Sequence, residues 1–428
     1  MNTDASRTGA TSYLLLMAKW LFWGSLIGAA AGCTTAFLIT MNDIVTDTRK
    51  ASAWLHYLLP LGGAVIGFLY RYFGSGSRAG NDLILEYIHE GAKKVPLRMG
   101  PIVFVGTFIT HLLGGSTGRE GAAIQMAGSL AEAVNRIFRV NKEDRRILLI
   151  AAISGGFGSA FGTPITGVVF GMEVVALGRM RYDAVVPCFI ASLLGHLVTT
   201  LWGIKHEHHV IKQLPEMTAL TFGKVFLLAA LFSLASVLYS QIRHGVYHYC
   251  SKHLPNLIIR GFLGGLVIVG LTLLIGSRDY LGRGLPMIDQ AFEGTVPPLA
   301  FFSKIIFTAI TMGTGFRGGE VIPLFFIGST LGNVLAPLFA LPVSFAAALG
   351  LVGVFCGAAQ APLACFVLSL ELFGGKGMFY FFIVCIVSHL LSGYHSIYPT
   401  QQVYEPKSRM FNLKPGETIS SVEKGRRK

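Results

Sequence analysis

Apolar runs follow one another along nearly the whole chain, interrupted by glycine and proline rather than by charge. "WLHYLLPLGGAVIGFLYRYF" (Trp54–Phe73), "VFLLAALFSLASVLY" (Val225–Tyr239) and "IIRGFLGGLVIVGLTLLIG" (Ile258–Gly276) are three of them. Several approach the ~20 residues that span a hydrocarbon core, while others stop after about 12–16. Inside lipid every backbone N–H and C=O must be satisfied by protein, which leaves helices for the spanning segments. Short runs broken by Gly or Pro then read as half-helices that end within the membrane against other protein. Charged residues make up only 13% of the chain and mean hydropathy is +0.59, against a charged share of about 25% in soluble domains. The expected architecture is an all-α polytopic membrane protein. The first apolar stretch lacks a small-residue cleavage pattern, so Tyr13–Thr40 reads as a retained helix rather than a signal peptide.

Glycine contributes 52 of 428 residues, about 12% against a usual ~7%. Gly24, Gly28 and Gly32 have the spacing of a ridge for close helix contact. The net charge of +13 raises the question of nucleic acid. The basic residues, however, lie in short loops and in the tail "EKGRRK" (Glu423–Lys428), as membrane topology requires of cytoplasmic loops. The six cysteines (Cys33, Cys188, Cys250, Cys356, Cys365, Cys385) are scattered, without metal-ligand or disulfide spacing, and read as core thiols.

A shift of 198 places Gly155, Phe157, Ala160, Pro164 and Glu173 on Gly353, Phe355, Ala358, Pro362 and Glu371. It also places Thr110, Arg119 and Gly121 on Thr308, Arg317 and Gly319. The chain divides into a first membrane repeat over 1–210, a second over 211–403, and a short, polar, basic tail over 404–428. Duplicated halves are the mark of transporter folds, whose ion sites lie at the repeat interface. In such a fold the halves are inverted, and their broken helices meet at a central site. Because they recur equally in both halves, Glu173 and Glu371 read as scaffold that ties loops or helix ends. Glu120, in contrast, falls opposite Gly318, and Glu320 opposite Ala122, so neither acid belongs to the shared scaffold.

"GGSTGREGAAIQMAGS" (Gly114–Ser129) sets Glu120 in a glycine-rich turn before an apolar helix. Glycines let backbone N–H groups converge there, and the helix dipole adds positive potential. Glu120 is either the anion that fills this site until protonation or displacement frees it, or a simple N-terminal cap. "GTGFRGGEVIPLFFIGS" (Gly313–Ser329) repeats the design and carries Glu320. "GSGSRAGNDLILE" (Gly74–Glu86) ends at Asn81, an amide donor or an N-cap. "SGYHSIYPTQ" (Ser392–Gln401) presents Tyr394 and Tyr398, either site hydroxyls or interfacial belt residues.

With these motifs in this order, the chain resembles the CLC family of chloride channels and proton-coupled antiporters over roughly residues 10–405. "GREG" (Gly118–Gly121) is similar to that family's gating-glutamate motif and "RGGEVIP" (Arg317–Pro323) to its second anion-binding loop. Tyr398 stands where its pore tyrosine falls. The resemblance implies an anion site of Asn81, Gly118, Arg119, Gly121, Val321, Ile322 and Tyr398, with backbone N–H groups of Val321 and Ile322 as donors. It implies Glu120 as gate and proton carrier, and a homodimer with one pore per subunit.

The chain departs from ordinary chloride members at telling points. Asn81 replaces the anion-binding serine of their "GSGIP" motif. Val174 stands where chloride exchangers usually carry an inner proton glutamate. These departures resemble the fluoride/proton antiporter branch, in which an acid at the position of Glu320 is implicated in proton movement. Some members of that branch carry threonine at the position of Ile322, a hydroxyl missing here. Fluoride holds its water tightly, so a site must supply several good donors in exchange. The expected function is fluoride/proton exchange that exports fluoride across a bacterial inner membrane. The alternatives are a chloride/proton antiporter and a passive anion channel. An intramembrane enzyme finds little support: "KHEHH" (Lys205–His209) lacks the H-E-x-x-H arrangement and reads as a solvated loop. His244, His248 and His253 likewise read as a polar stretch. Neither cofactor nor metal is expected, nor any appended regulatory domain.

Overall fold

The structure is a computed structural model that describes residues 10–90, 94–206, 209–408 and 413–426. In the first half, α1 (Ala10–Ala51), α2 (Leu59–Tyr72), α3 (Asn81–Glu90) and α4 (Met99–Leu113) are followed by α5 (Glu120–Ile137), α6 (Lys142–Phe161), α7 (Pro164–Val174) and α8 (Val185–Leu201). The second half repeats the order with α9 (Ala219–His253), α10 (Leu257–Ile275), α11 (Leu285–Glu293), α12 (Ala300–Gly313), α13 (Val321–Leu335), α14 (Val343–Ala359), α15 (Pro362–Phe373) and α16 (Met378–Leu391). After it come strand β2 (Gln402–Val403), strand β3 (Glu417–Thr418) and α17 (Ile419–Arg426). Strand β2 pairs with both β1 (Ala176–Leu177) and β3.

Five helical stretches among the described residues are long and apolar enough to cross a membrane, and seven further apolar helices are shorter. At 1.5 Å per residue, the 11-residue α7 reaches only about 16 Å, half a hydrocarbon core. The 42-residue α1 is far longer than a perpendicular crossing needs and must tilt. The run Trp54–Phe73 is not one helix, because Pro60 starts α2 afresh after a 3-10 turn over Ala53–Leu58. The ridge of Gly24, Gly28 and Gly32 packs on α8. A Cβ at Gly28 would stand 2.7 Å from the Ala191 carbonyl oxygen, and one at Gly32 2.8 Å from that of Gly195.

The two halves are related by a two-fold rotation, and α2 against α10 shows it directly. Gly63 meets Gly261, Gly67 meets Leu257, and Gly265 meets Pro60. As one residue number rises the other falls, so these repeat-equivalent helices run antiparallel. Gly63 and Gly261, 198 residues apart, touch each other on the axis. A Cβ on either would lie 2.1 Å from the other's carbonyl oxygen.

The duplicated acids follow the same symmetry. Glu173 accepts hydrogen bonds from the backbone N–H groups of Leu363 (3.1 Å) and Ala364 (2.7 Å) at the start of α15. Glu371 accepts from Ile165 (2.9 Å) and Thr166 (2.6 Å) at the start of α7. Each half thus supplies the other with a carboxylate for helix-end donors that have no partner within their own helix. The scaffold reading of this pair is the arrangement found.

The tail beyond Tyr404 is more than a polar extension. Ile419 and Val422 are buried with Leu177, Tyr394 and Val403, and Lys407 reaches inward to Gln360 and the His389 carbonyl. Five of the six cysteines are buried and all six are free, with Cys33 exposed.

Removing either reciprocal cap leaves two helix-end N–H groups without their carboxylate partner. Glu371→Ala and Glu173→Ala should each lower stability by about 1.5–3 kcal/mol, with Glu371→Ala the larger because Glu371 also accepts the Thr166 hydroxyl at 2.6 Å. Thermal unfolding of the purified variants in detergent tests this. A loss confined to one of the two would contradict the symmetry argument.

Candidate anion site

The turns that open α5 and α13 meet at the centre of the protein. Gly118 N–H donates to Gly319 C=O (2.7 Å) and Gly319 N–H to Gly118 C=O (2.6 Å), a two-residue antiparallel pairing of one repeat with the other. The neighbouring hydroxyls reinforce it. Thr117 Oγ1 donates to Gly319 C=O (2.7 Å), and Ser116 and Thr308 hydroxyls pair at 2.9 Å. Arg317 N–H donates to the Thr110 hydroxyl at 3.3 Å. Thr110 and Thr308, equivalent under the repeat, each hold the loop of the opposite half.

Glycine is required here by contact. A Cβ at Gly118 would lie 2.3 Å from one Glu120 carboxylate oxygen, and a Cβ at Gly319 2.5 Å from the same oxygen. The carboxylate therefore rests in a slot between two glycines, with 1% of the residue exposed. It lies beside the backbone N–H groups of Arg119 and Glu120, yet neither oxygen completes a hydrogen bond of full geometry. This is not a helix cap, which would satisfy an N–H of the first turn. Among the described residues no hydrogen bond takes the N–H group of Gly121 at the start of α5, nor those of Val321 and Ile322 at the start of α13. Two helix ends thus bring free donors and the positive ends of their dipoles to one place.

Glu120 lies between two cavities. On one side a cavity of about 320 Å³ is lined by Asn81, Gly121, Gln125, Gly318, Val321 and Tyr398, with Glu320 in its wall. On the other, a smaller cavity of about 60 Å³ is lined by Arg119, Ile322, Phe325, His206, His209 and Arg283. The chain neighbours of Glu120 divide between them: Arg119 faces one and Gly121 the other. Val321 and Ile322 divide in the same way.

Of the residues expected at the site, Asn81, Gly121, Val321 and Tyr398 gather around the larger cavity. The Asn81 amide nitrogen lies 3.0 Å from where a Gly121 Cβ would stand, and its carbonyl oxygen is buried without a partner. Asn81 therefore does not cap α3. Tyr398 is 6% exposed and Tyr394 is 2% exposed, so neither is a belt residue. The Tyr394 hydroxyl accepts the Lys407 N–H at 2.8 Å. Arg119 turns away from this group, its guanidinium bonding Asp43 at 3.1 Å. Asp43 also pairs with Arg283 at 2.7 Å. Ile322 lies on the opposite face from Asn81, in the smaller cavity.

Glu320 is held rather than free. One carboxylate oxygen accepts the Tyr239 hydroxyl at 2.6 Å, and the other accepts Arg243 at 2.8 Å. Asp82 joins the same wall of the cavity and accepts the Thr400 hydroxyl at 2.8 Å.

Sequence reading missed Gln125, Tyr239, Arg243, Asp82 and Thr400. Arg243 carried a signal, since a cation following the apolar run of α9 marks a functional position. The stretch with His244, His248 and His253 is not a polar loop. It is the end of α9, and His244 lines the cavity. In "KHEHH", Glu207 and His208 lie outside the described residues. His206 and His209 are half-buried at the smaller cavity, and His209 stands 3.4 Å from Asp289. No group of three or more His, Cys, Asp or Glu among the described residues is arranged to hold a metal.

Comparison with known proteins agrees with this architecture. Residues 62–393 match the voltage-gated chloride channel family. A chloride/fluoride channel protein of Pseudomonas syringae pv. tomato is 42% identical over 397 residues, covering 91% of this chain and 88% of that protein. The crystal structure of a CLC-type fluoride/proton antiporter superposes with a TM-score of 0.88 at 31% identity, covering 91% of this chain and 99% of that one. A slow cyanobacterial Cl−/H+ antiporter shares the fold at a TM-score of 0.76 and 19% identity, covering 95% of this chain and 97% of that one. The chain belongs to the voltage-gated chloride channel family, the CLC family, as a multi-pass membrane ion-transport protein and not an enzyme.

Proposed function

We propose that this protein exchanges fluoride for protons and exports fluoride across a bacterial inner membrane, as a homodimer with a pore in each subunit. The observation that carries the proposal is the Glu120 carboxylate. It is buried between two cavities, pinched by Gly118 and Gly319, and set beside the backbone N–H groups of Arg119 and Glu120 without a full hydrogen bond to either. A carboxylate so placed occupies an anion site as a tethered anion. Protonation removes its charge and its claim on the donors, and a mobile anion takes its place. One residue then couples a proton to each anion passage.

Three observations favour fluoride over chloride. Asn81 offers an amide donor at the larger cavity, where a small, strongly hydrated anion needs replacements for its water. Val174 is buried and apolar where chloride exchangers usually place a proton-carrying acid. The Pseudomonas syringae relative and the fluoride/proton antiporter structure both carry fluoride in their descriptions. In this scheme a proton from the larger cavity meets Asp82 and Glu320 before Glu120. Arg243 and Tyr239 hold Glu320 at the cavity wall. The donors to the anion are Asn81, Tyr398 and the N–H groups of Val321 and Ile322, with Gly118 and Gly121 giving room for the approach.

The purified protein in liposomes should release fluoride faster than chloride, and a fluoride gradient should drive protons uphill in the opposite direction. Equal rates for the two halides would indicate the chloride reading, and fluoride flux without proton movement a passive channel.

Glu120→Gln keeps size and hydrogen-bonding capacity but removes the titratable proton. Proton uptake driven by a fluoride gradient should vanish, with the unfolding temperature of the same preparation close to that of the parent. Full coupling in the folded variant would rule out the gate assignment. Glu320→Gln should impair coupling less severely than Glu120→Gln, because Asp82 remains in the same cavity wall. The same proton-uptake assay checks this order.

A further inference from the structure

A third cavity, of about 310 Å³ and lined by Arg49, Lys50, His56, Arg278, Asp279 and Arg283, lies on the far side of the protein from Asn81. The helices show the separation. The cavity around Asn81 is lined by the later half of α2 and the start of α10 (Gly67, Tyr70, Leu257). The basic cavity is lined by the segment before α2 and the loop after α10. It is therefore no part of the cavity that holds Asn81 and Tyr398, and it shares Arg283 and Leu285 with the smaller cavity beside Arg119.

Its charges are unbalanced. Four cationic side chains line it against one lining carboxylate, Asp279, which is already bonded to the Ser277 hydroxyl at 2.6 Å; Lys50 has only a loose, exposed contact with Asp47 at 3.9 Å. Arg49 makes no ion pair among the described residues, and its guanidinium reaches only the His111 carbonyl at 3.0 Å. It is partly buried and close enough to Arg283 for the two cations to repel. Arg283 is balanced by Asp43, which also serves Arg119. Behind the wall Lys304 is fully buried, donating to the carbonyls of Tyr280 (3.1 Å) and Gly282 (2.8 Å). That loop is shaped around Arg49. Gly282 adopts φ +57°, and a Cβ there would lie 2.6 Å from the Arg49 guanidinium. Burying like charges beside each other is costly unless an opposite charge completes the group.

The level in the membrane is marked by aromatics. Trp54 and Tyr57, in the same short segment as the lining residues Ala53 and His56, are 60% and 47% exposed. Exposed Trp and Tyr beside an apolar helix sit at the depth of lipid headgroups. Guanidinium forks match the paired oxygens of a phosphate better than a single halide ion. We infer that the cavity bounded by Arg49, Lys50, Arg278 and Arg283 binds a phosphate group, supplied either by an anionic lipid headgroup or by free phosphate. The occupant provides the negative charge that the lining lacks. It also competes with Asp43 for Arg283, and so touches the ion-pair chain that ends on Arg119 at the start of α5.

The test is thermal unfolding of the full-length protein in a phosphate-free detergent. Inorganic phosphate is compared with chloride at matched ionic strength, and short-chain phosphatidylglycerol with short-chain phosphatidylcholine. A binding partner of the folded state raises the unfolding temperature. A rise with inorganic phosphate identifies a free-phosphate site, and a rise with phosphatidylglycerol alone identifies a headgroup site. Either should need about tenfold more ligand in Arg49→Gln, the order of a lost charge-assisted bond. Arg278→Glu lies on an exposed loop and remains informative if the buried Arg49→Gln does not fold. No rise with either probe, or an unchanged response in Arg278→Glu, overturns the assignment. The outcome is independent of fluoride/proton exchange, because unfolding is read without transport.

Discussion

The paired hydrogen bonds between Gly118 and Gly319 are the contact on which the rest of the centre depends. They join the two halves by backbone, at residues where no side chain intervenes. They bring the starts of α5 and α13 close enough for both sets of free N–H groups to face one place. They also form the slot for Glu120, since a Cβ at either glycine would occupy the carboxylate's position. A helix end inside a membrane is ordinarily a liability. Here two such ends share one space, held together by the paired glycines.

Around this contact the structure uses symmetry for rigidity and asymmetry for chemistry. Glu173 and Glu371, Thr110 and Thr308, and Gly63 and Gly261 all act in equivalent pairs across the two-fold axis. Glu120 and Glu320 break the pattern, facing Gly318 and Ala122 under the repeat. They also differ from each other in surroundings. Glu120 has glycine on both sides, whereas Glu320 is held by Arg243 and Tyr239.

The duplication and the broken helices were legible because both follow from local pattern, a fixed shift of 198 and apolar runs cut by Gly and Pro. The scaffold role of Glu173 and Glu371 was legible for the same reason. Residues that reach the centre from distant elements were not. Arg243 approaches Glu320 across 77 residues and Asp43 approaches Arg119 across 76, and no periodicity links such positions. The direction of the Arg119 side chain was not legible either, because adjacency to Glu120 in sequence says nothing about direction. At the start of a helix, successive residues point to different faces, and these two part company at the barrier between the cavities.

The interlock of α2 with α10 bears on how such a frame moves. Glycine backbones in contact at Gly63 and Gly261 leave no layer of side chains to shear, and the crossed carboxylates of Glu173 and Glu371 fasten the halves again elsewhere. A rocking exchange of whole repeats would break all of these at once. Such a frame resists displacement of one half against the other, and single side chains are the parts left with the most freedom to move within it.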